Sequence, residues 1–277
     1  MDKMIALRLP DLQAELRQKG NAEYIISMDV ARSKAQNNNQ TAFLVGRITR
    51  GKDKSIKSVA IVNIYIPPNG LNFTQQAIIM KKLQKAYNAQ VCVVDTNGLG
   101  KGVADRLVEE IVDPNTGQLY EAWDCINDET FKSLVPNSPK ILYSLNATSI
   151  NTNIIINFWD YVETFRLHLL PTDKNASYLS EVTGVKSGKR KKTETTQMDE
   201  MEKIDCMAVH MRTDTLLEQI SNLEVEKRGG NFIVKQITKG IDKDMFSALV
   251  YLLYVVQVHL NAKVEINIDY SDYMLYN

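Results

Sequence analysis

Two short apolar runs, each stopped by an aspartate, constrain this chain more than any other feature. YIISM (residues 24–28) ends at Asp29, and VCVV (residues 91–94) ends at Asp95. Runs of β-forming residues without polar alternation suit strands covered on both faces, as in a sheet flanked by helices. Thr41–Thr49 and Lys57–Ile66 read as two further strands joined by the GKDK turn at Gly51–Lys54. Phe73, Ala77, Met80, Leu83 and Tyr87 recur at helical spacing and predict a helix over about Asn72–Asn88. After Asp95 comes a Gly-rich turn and a helix over about Gly102–Ile111. Three strands in a meander, a crossover helix, a fourth strand and a helix define an α/β arrangement.

The second half is less regular. Strands are expected near Trp123 and Cys125 and at Lys140–Tyr143, and a helix over Ala147–Leu167. Asn175–Gln197 holds the basic loop KSGKRKKTETT, and a long helix is expected over Asp199–Lys227. Phe232–Ile237 reads as a short strand or extended link, Asp242–Leu260 as a strongly apolar helix, and Lys263–Ile268 as an edge strand. The first 20 residues read as a linker or short amphipathic helix ending at Gly20, leaving residues 21–277 as one large domain.

Charge and cysteine usage narrow the function classes. Lys plus Arg and Asp plus Glu number 33 each, so any nucleic acid must be held by local patches rather than by a bulk positive field. Cys92, Cys125 and Cys206 are scattered, without the paired spacing of a zinc site, and fit a reducing cytoplasm. The N-terminus is too charged for a secretory signal. The apolar stretch Met245–Leu260 falls short of the ~20 residues of a membrane span, so no membrane partner is expected.

Three acidic positions interrupt or cap apolar elements: Asp29, Asp95, and Asp244 at the start of the last helix. Ligand sites of open α/β sheets gather beyond the carboxyl ends of the strands, where Asp29 and Asp95 would stand together if their strands are neighbours. Carboxylates without nearby His or Cys point to a hard cation, Mg2+ or Mn2+. Two such ions are a recurring device for phosphodiester hydrolysis. Singly, each Asp also fits a turn former or a helix cap. His168, His210 and His259 lack metal-ligand spacing. Lys186, Lys189, Arg190, Lys191 and Lys192 read first as a solvated loop and second as phosphate contacts; Arg32 and Lys34 lie nearer the presumed site. GLGKG at Gly98–Gly102 has the wrong spacing for a P-loop, so its glycines are expected to turn the chain behind Asp95, with Lys101 in reach of a DNA phosphate.

SMDVARSKAQNNNQTAFLVGRI, VCVVDTNGLGKGVADRL and KDMFSALVYLL resemble the acidic motifs of the nuclease domain of tailed-phage large terminase subunits. The resemblance implies a ribonuclease H-like fold with a mixed central sheet flanked by helices. It implies a two-metal endonuclease that cuts concatemeric viral double-stranded DNA during packaging in the host cytoplasm. It assigns the ligands to Asp29, Asp95 and Asp244, with Asp242 the close competitor for the third. It also implies a packaging ATPase domain, a portal protein and a small terminase subunit as partners; the ATPase motif itself is absent from this sequence. Alternatives are another ribonuclease H-like nuclease, of junction-resolvase or transposase type, and a non-catalytic docking domain of a packaging motor. An actin-like kinase would want glycine where Ala31 stands.

Overall fold

The computed structural model describes residues 2–31, 40–176, 179–184 and 192–261. After a five-residue helix (Asp2–Ala6, α1) come strands β1 (Glu23–Asp29), β2 (Ala42–Arg50) and β3 (Ile56–Tyr65), helix α2 (Phe73–Tyr87), strand β4 (Val91–Asp95) and helix α3 (Gly100–Leu107). A two-stranded ribbon of Ile111–Val112 (β5) and Leu119–Tyr120 (β6) leads to β7 (Asp124–Cys125), β8 (Lys140–Leu145), α4 (Asn151–Glu163) and β9 (Leu167–His168). Two hairpins flank the long helix α5 (Glu200–Ser221): β10 (Leu179–Gly184) with β11 (Lys192–Gln197), and β12 (Leu223–Arg228) with β13 (Asn231–Gln236). Helix α6 (Asp244–Val255) follows and ends in a π turn over Val256–Leu260.

The central sheet has seven strands in the order β7-β8-β4-β1-β2-β3-β9. β1 runs antiparallel to β2 and parallel to β4, and β4 runs parallel to β8, so the sheet is mixed and its two apolar runs, in β1 and β4, lie side by side near its centre. Strand alternation divides the interior into two cores. Ile25, Val91 and Val93 point to the face covered by α4 and α6, whereas Tyr24, Ile26, Met28, Cys92 and Val94 point to the face covered by α2 and α3. Helix α2 starts at a capping box between Asn72 and Gln75 and stops at Asn88, which adopts φ 49°. On the α6 side, Gly46 of β2 lets the helix approach closely: a Cβ there would lie 3.0 Å from a Leu252 methyl.

Several expectations are corrected. The first 20 residues are no single amphipathic helix; beyond α1 they run as turns and irregular chain against the sheet. Leu169 binds this strip by donating its N–H to Leu7 O at 2.9 Å and accepting from Leu9 N–H at 3.0 Å, and Glu15 N–H donates to Val62 O at 3.0 Å. The side chain of Glu15, 2% exposed, pairs with Arg47 and accepts from the Tyr24 hydroxyl at 2.6 Å. Glu15, a charge that looks solvent-facing in sequence, is therefore buried against the interior strands β1 and β2. The helix expected to reach Lys227 ends at Ser221, because Gly229 and Gly230, both at positive φ, turn the chain into the β12–β13 hairpin. The helix expected over Ala147–Leu167 spans Asn151–Glu163; Phe165 at φ 53° breaks it and Leu167–His168 joins the sheet. The last helix opens at Asp244 rather than Asp242. The edge strand expected at Lys263–Ile268 lies outside the described residues. Among those described, no helix is long and apolar enough to cross a membrane.

Glu15→Ala should lower unfolding stability by about 3 kcal/mol, because it strands Arg47 and the Tyr24 hydroxyl beside an apolar core. Urea denaturation checks this; a loss below ~1 kcal/mol would mean that the strip does not depend on its buried carboxylate.

Candidate functional site

Strand register brings the first two aspartates together. β1 and β4 pair in parallel as Ile25 with Val91, Ser27 with Val93 and Met28 with Val94, so the next row sets Asp29 beside Asp95. Neighbouring strands lie ~4.8 Å apart. Both aspartates share the parity of Ile25, Val91 and Val93 and so project to the α6 face at the carboxyl end of the sheet. α6 crosses this face and is tied to β1 where Ser27 Oγ donates to Ala248 O at 2.6 Å. Its first residue is Asp244, 5% exposed and close enough to Asp29 for their charges to repel.

Each carboxylate has its own restraints. Asp95 Oδ1 accepts from the backbone N–H of Asn97 at 3.1 Å and of Ala147 at 3.2 Å, and Oδ2 accepts from the Tyr251 hydroxyl at 3.3 Å. Asp244 Oδ2 accepts from Gln40 N–H at 2.5 Å, which fastens the start of β2 to the helix. Asp244 makes no side-chain cap of its own helix, whose capping position is Lys243. A simple capping role is thereby removed for Asp244, whereas Asp95 does double as a turn former. Ser247 hydrogen-bonds to Asp29. Among the described residues no group of three His, Cys, Asp or Glu side chains is arranged so that it could hold a metal ion. Asp29 lies within electrostatic reach of both Asp95 and Asp244.

Their electrostatics are unfavourable without a counter-charge. Burial, reinforced by the charges of Asp244 and Asp95, pushes Asp29 up to about 7, against a partial offset from Ser247 and Lys243. Burial, with Asp242 adding repulsion, pushes Asp244 up to about 6, opposed by the Gln40 N–H and Lys243. Burial also raises Asp95, although its three donors favour the charged form. The same negative field, added to burial, pushes the Tyr251 hydroxyl well above its ordinary value, so it stays a donor. A low-dielectric edge lined by carboxylate oxygens, with no His or Cys among those oxygens' neighbours, is chemically suited to a hard divalent cation.

The turn behind Asp95 explains the glycines of DTNGLGKG. Gly98 adopts φ +72°, and a Cβ on Gly100 would lie 1.8 Å from the Asp95 carbonyl oxygen. A Cβ on Gly102 would strike the Phe73 ring at 2.5 Å. These residues let α3 start directly beside the strand end, and Lys101 stands exposed on its first turn. Asp242 lies outside α6, where its charge acts on Asp244 but is not among the charges that raise Asp29. Arg32, Lys34, Lys186, Lys189, Arg190 and Lys191 lie outside the described residues. Sequence reasoning missed Ser247, Tyr251 and Lys243. A signal was present for the first two: they follow Asp244 by three and seven residues in an otherwise apolar helix, on one face.

The fold is that of a large terminase nuclease. The nuclease of thermophilic phage G20c with bound magnesium superposes with a TM-score of 0.50 at 15% identity, covering 90% of this chain and 94% of that one. The same nuclease with bound cobalt gives the same TM-score, identity and coverage. No protein-family model matches the sequence, and no curated protein matches it either.

The raised carboxyls carry a linkage consequence. Folded-state values above the ordinary 3.8 mean that the native protein binds more protons than the unfolded chain between pH ~4 and about 7, so stability falls as pH rises through that window. With EDTA present, Asp29→Asn should flatten this slope and raise stability at pH 8 by about 2 kcal/mol, roughly 4–8 °C in Tm. Thermal melts from pH 4 to 8 test this; parallel curves for the two proteins would contradict the electrostatic account.

Proposed function

We propose that this protein is a divalent-metal-dependent endonuclease that hydrolyses phosphodiester bonds of double-stranded DNA, with Asp29, Asp95 and Asp244 as metal ligands. The observation that carries this reading is the meeting of Asp29 and Asp95 in one row of a parallel strand pair beneath the acidic first turn of α6. Mutual repulsion at that place makes the empty set of charges costly, and a cation would relieve it. The magnesium and cobalt held by the G20c nuclease support the same choice of ligand.

Mg2+ or Mn2+, taken here as two ions, would supply charge neutralisation at the phosphate and activation of water. The chain's own groups then divide the remaining work. Asp29, flanked by the other two carboxylates, carries the charge most in need of compensation. Tyr251, with the Asn97 and Ala147 amides, fixes the orientation of Asp95. Ser247 and the Gln40 amide do the same for Asp29 and Asp244. Lys101 and Lys243, both exposed near this edge, would meet the DNA backbone, joined by Arg32, Lys34, Lys189, Arg190 and Lys191 as further phosphate contacts. Asp242 takes the lesser role of an outlying charge. In biological terms this activity would cut concatemeric viral DNA during packaging in the host cytoplasm, beside a packaging ATPase, a portal protein and a small terminase subunit.

Purified protein should nick and linearise supercoiled plasmid with Mn2+ or Mg2+ and not with EDTA. Asp29→Ala, Asp95→Ala and Asp244→Ala should each reduce the rate at least a hundredfold while remaining folded, and Asp242→Ala should retain most of it. Folded protein inactive with every metal would favour a non-catalytic docking domain.

Tyr251→Phe should weaken Mn2+ binding by about tenfold in calorimetry, the size expected for groups that orient ligands. Unchanged affinity would mean that the two amides alone hold Asp95.

A further inference from the structure

A polar cavity of about 370 Å³ opens beside the aspartates and takes no part in holding them. Its walls include Thr96, Asp128, Tyr143, Ser144, Ser149 and Tyr254. Two links join it to the acidic edge. Thr96 directly follows Asp95, and Tyr254 stands three residues beyond Tyr251, the α6 residue whose hydroxyl touches Asp95. A ligand in the cavity therefore lies next to whatever occupies the carboxylate site.

The lining selects the class of ligand. No Lys or Arg is among its residues, and Asp128 adds a negative charge, its carboxyl lowered from the ordinary value first by its Thr130 hydrogen bonds. Phosphate is thus disfavoured. The polar wall is rigid: Thr96 Oγ1 and Ser144 Oγ lie 2.8 Å apart, and the Asn127 side chain clamps the Ser144 backbone through bonds of 2.8 and 2.9 Å. Asp128 Oδ1 is taken up by Thr130, whereas Oδ2, 3.3 Å from Ser144 Oγ, keeps acceptor capacity for a ligand donor. Half-buried Tyr143 and Tyr254 supply ring surface. Aromatic faces beside hydroxyls and one carboxylate suit a neutral planar group that carries an N–H donor. A convex duplex cannot fill a recess; an unstacked base can.

We infer that this cavity receives a nucleobase turned out of the strand next to the cut phosphate, with Asp128 accepting from an exocyclic amine and the tyrosines providing stacking surface. The inference rests on the nuclease reading of the neighbouring aspartates. It makes the protein sensitive to local unpairing: eversion costs a few kcal/mol from an intact duplex and least from a base already unpaired.

The test is equilibrium binding of fluorescent duplexes with Ca2+ present, by anisotropy. The duplexes are fully paired, or carry one central unpaired cytosine, one unpaired thymine, or an abasic bulge that keeps the bend without the base. The unpaired cytosine should bind about tenfold tighter than the abasic bulge, within the range of base–aromatic stacking, and several-fold tighter than thymine. Asp128→Asn should remove the cytosine-over-thymine difference. Ser149→Trp, which fills the recess from an exposed position, and Tyr254→Leu should each remove the base dependence, with thermal melts confirming the fold. Equal binding of cytosine and abasic bulges, or a preference that survives Ser149→Trp, would overturn the inference while plasmid cleavage leaves the nuclease reading standing. Failure to bind or cut any DNA would remove both.

Discussion

The packing of α6 across β1, β2 and β4 is the constraint on which the rest of the structure depends. The helix is apolar on nearly every side, with Phe246, Ala248, Leu249, Leu252 and Leu253 buried in the core. Burial of this kind is worth about 1.5–3 kcal/mol per large side chain, which makes the helix position rigid. Rigidity is what allows a carboxylate at its first residue to sit 5% exposed beside two others. Remove the close approach at Gly46 and the helix would lift, and Asp244 would move into water, where its proximity to Asp29 would count for little. The apolar core thus fixes a polar edge that would not assemble by its own attractions.

Holding like charges together explains why so many neutral donors surround them. Ser247, Tyr251 and the amides of Gln40, Asn97 and Ala147 all offer hydrogen to carboxylate oxygen without adding charge. Such donors restrain orientation while leaving the net negative charge to be met from outside. A structural ion pair would behave otherwise, as Glu15 and Arg47 show at the opposite side of β1: there the charges cancel internally and the Tyr24 hydroxyl closes the network. The sheet thus holds two buried acidic places, one neutralised by its own ion pair and one that is not.

Much of this was legible because buried strands leave a strong trace. YIISM and VCVV have no polar alternation, their parity is fixed once both faces are covered, and an Asp at the end of each stands out against the cost of burial. Strand adjacency was not legible: only the register Met28 with Val94 shows that Asp29 and Asp95 share a row. Ser247 and Tyr251 were hidden by their own helix, since one serine and one tyrosine in an apolar stretch are unremarkable until the face they share is known to point at carboxylates. The β12–β13 hairpin was masked because LEVEKR satisfies helical and strand patterns alike, and the paired glycines after it decide the outcome. The N-terminal strip failed for a related reason: Leu7, Leu12 and Ala14 are buried, but their spacing follows the surface they cross rather than a helical period.

The balance of charge gives the site its order of events. A chain with 33 basic and 33 acidic residues has no bulk positive field to draw in DNA, and an edge bearing three aspartates repels phosphate at short range. On the proposed function, DNA can settle only after that edge has changed sign locally. Cation loading is then a condition of substrate approach as well as of hydrolysis. Lys101 and Lys243 are exposed single charges, subject to screening, and cannot substitute for it. The neighbouring cavity obeys the same logic from the other direction. With Asp128 and no cation in its walls it turns phosphate away and leaves room for the uncharged part of a nucleotide. On the two proposals together, backbone and base would be sorted into adjacent places by charge, on a protein whose formal net charge is zero.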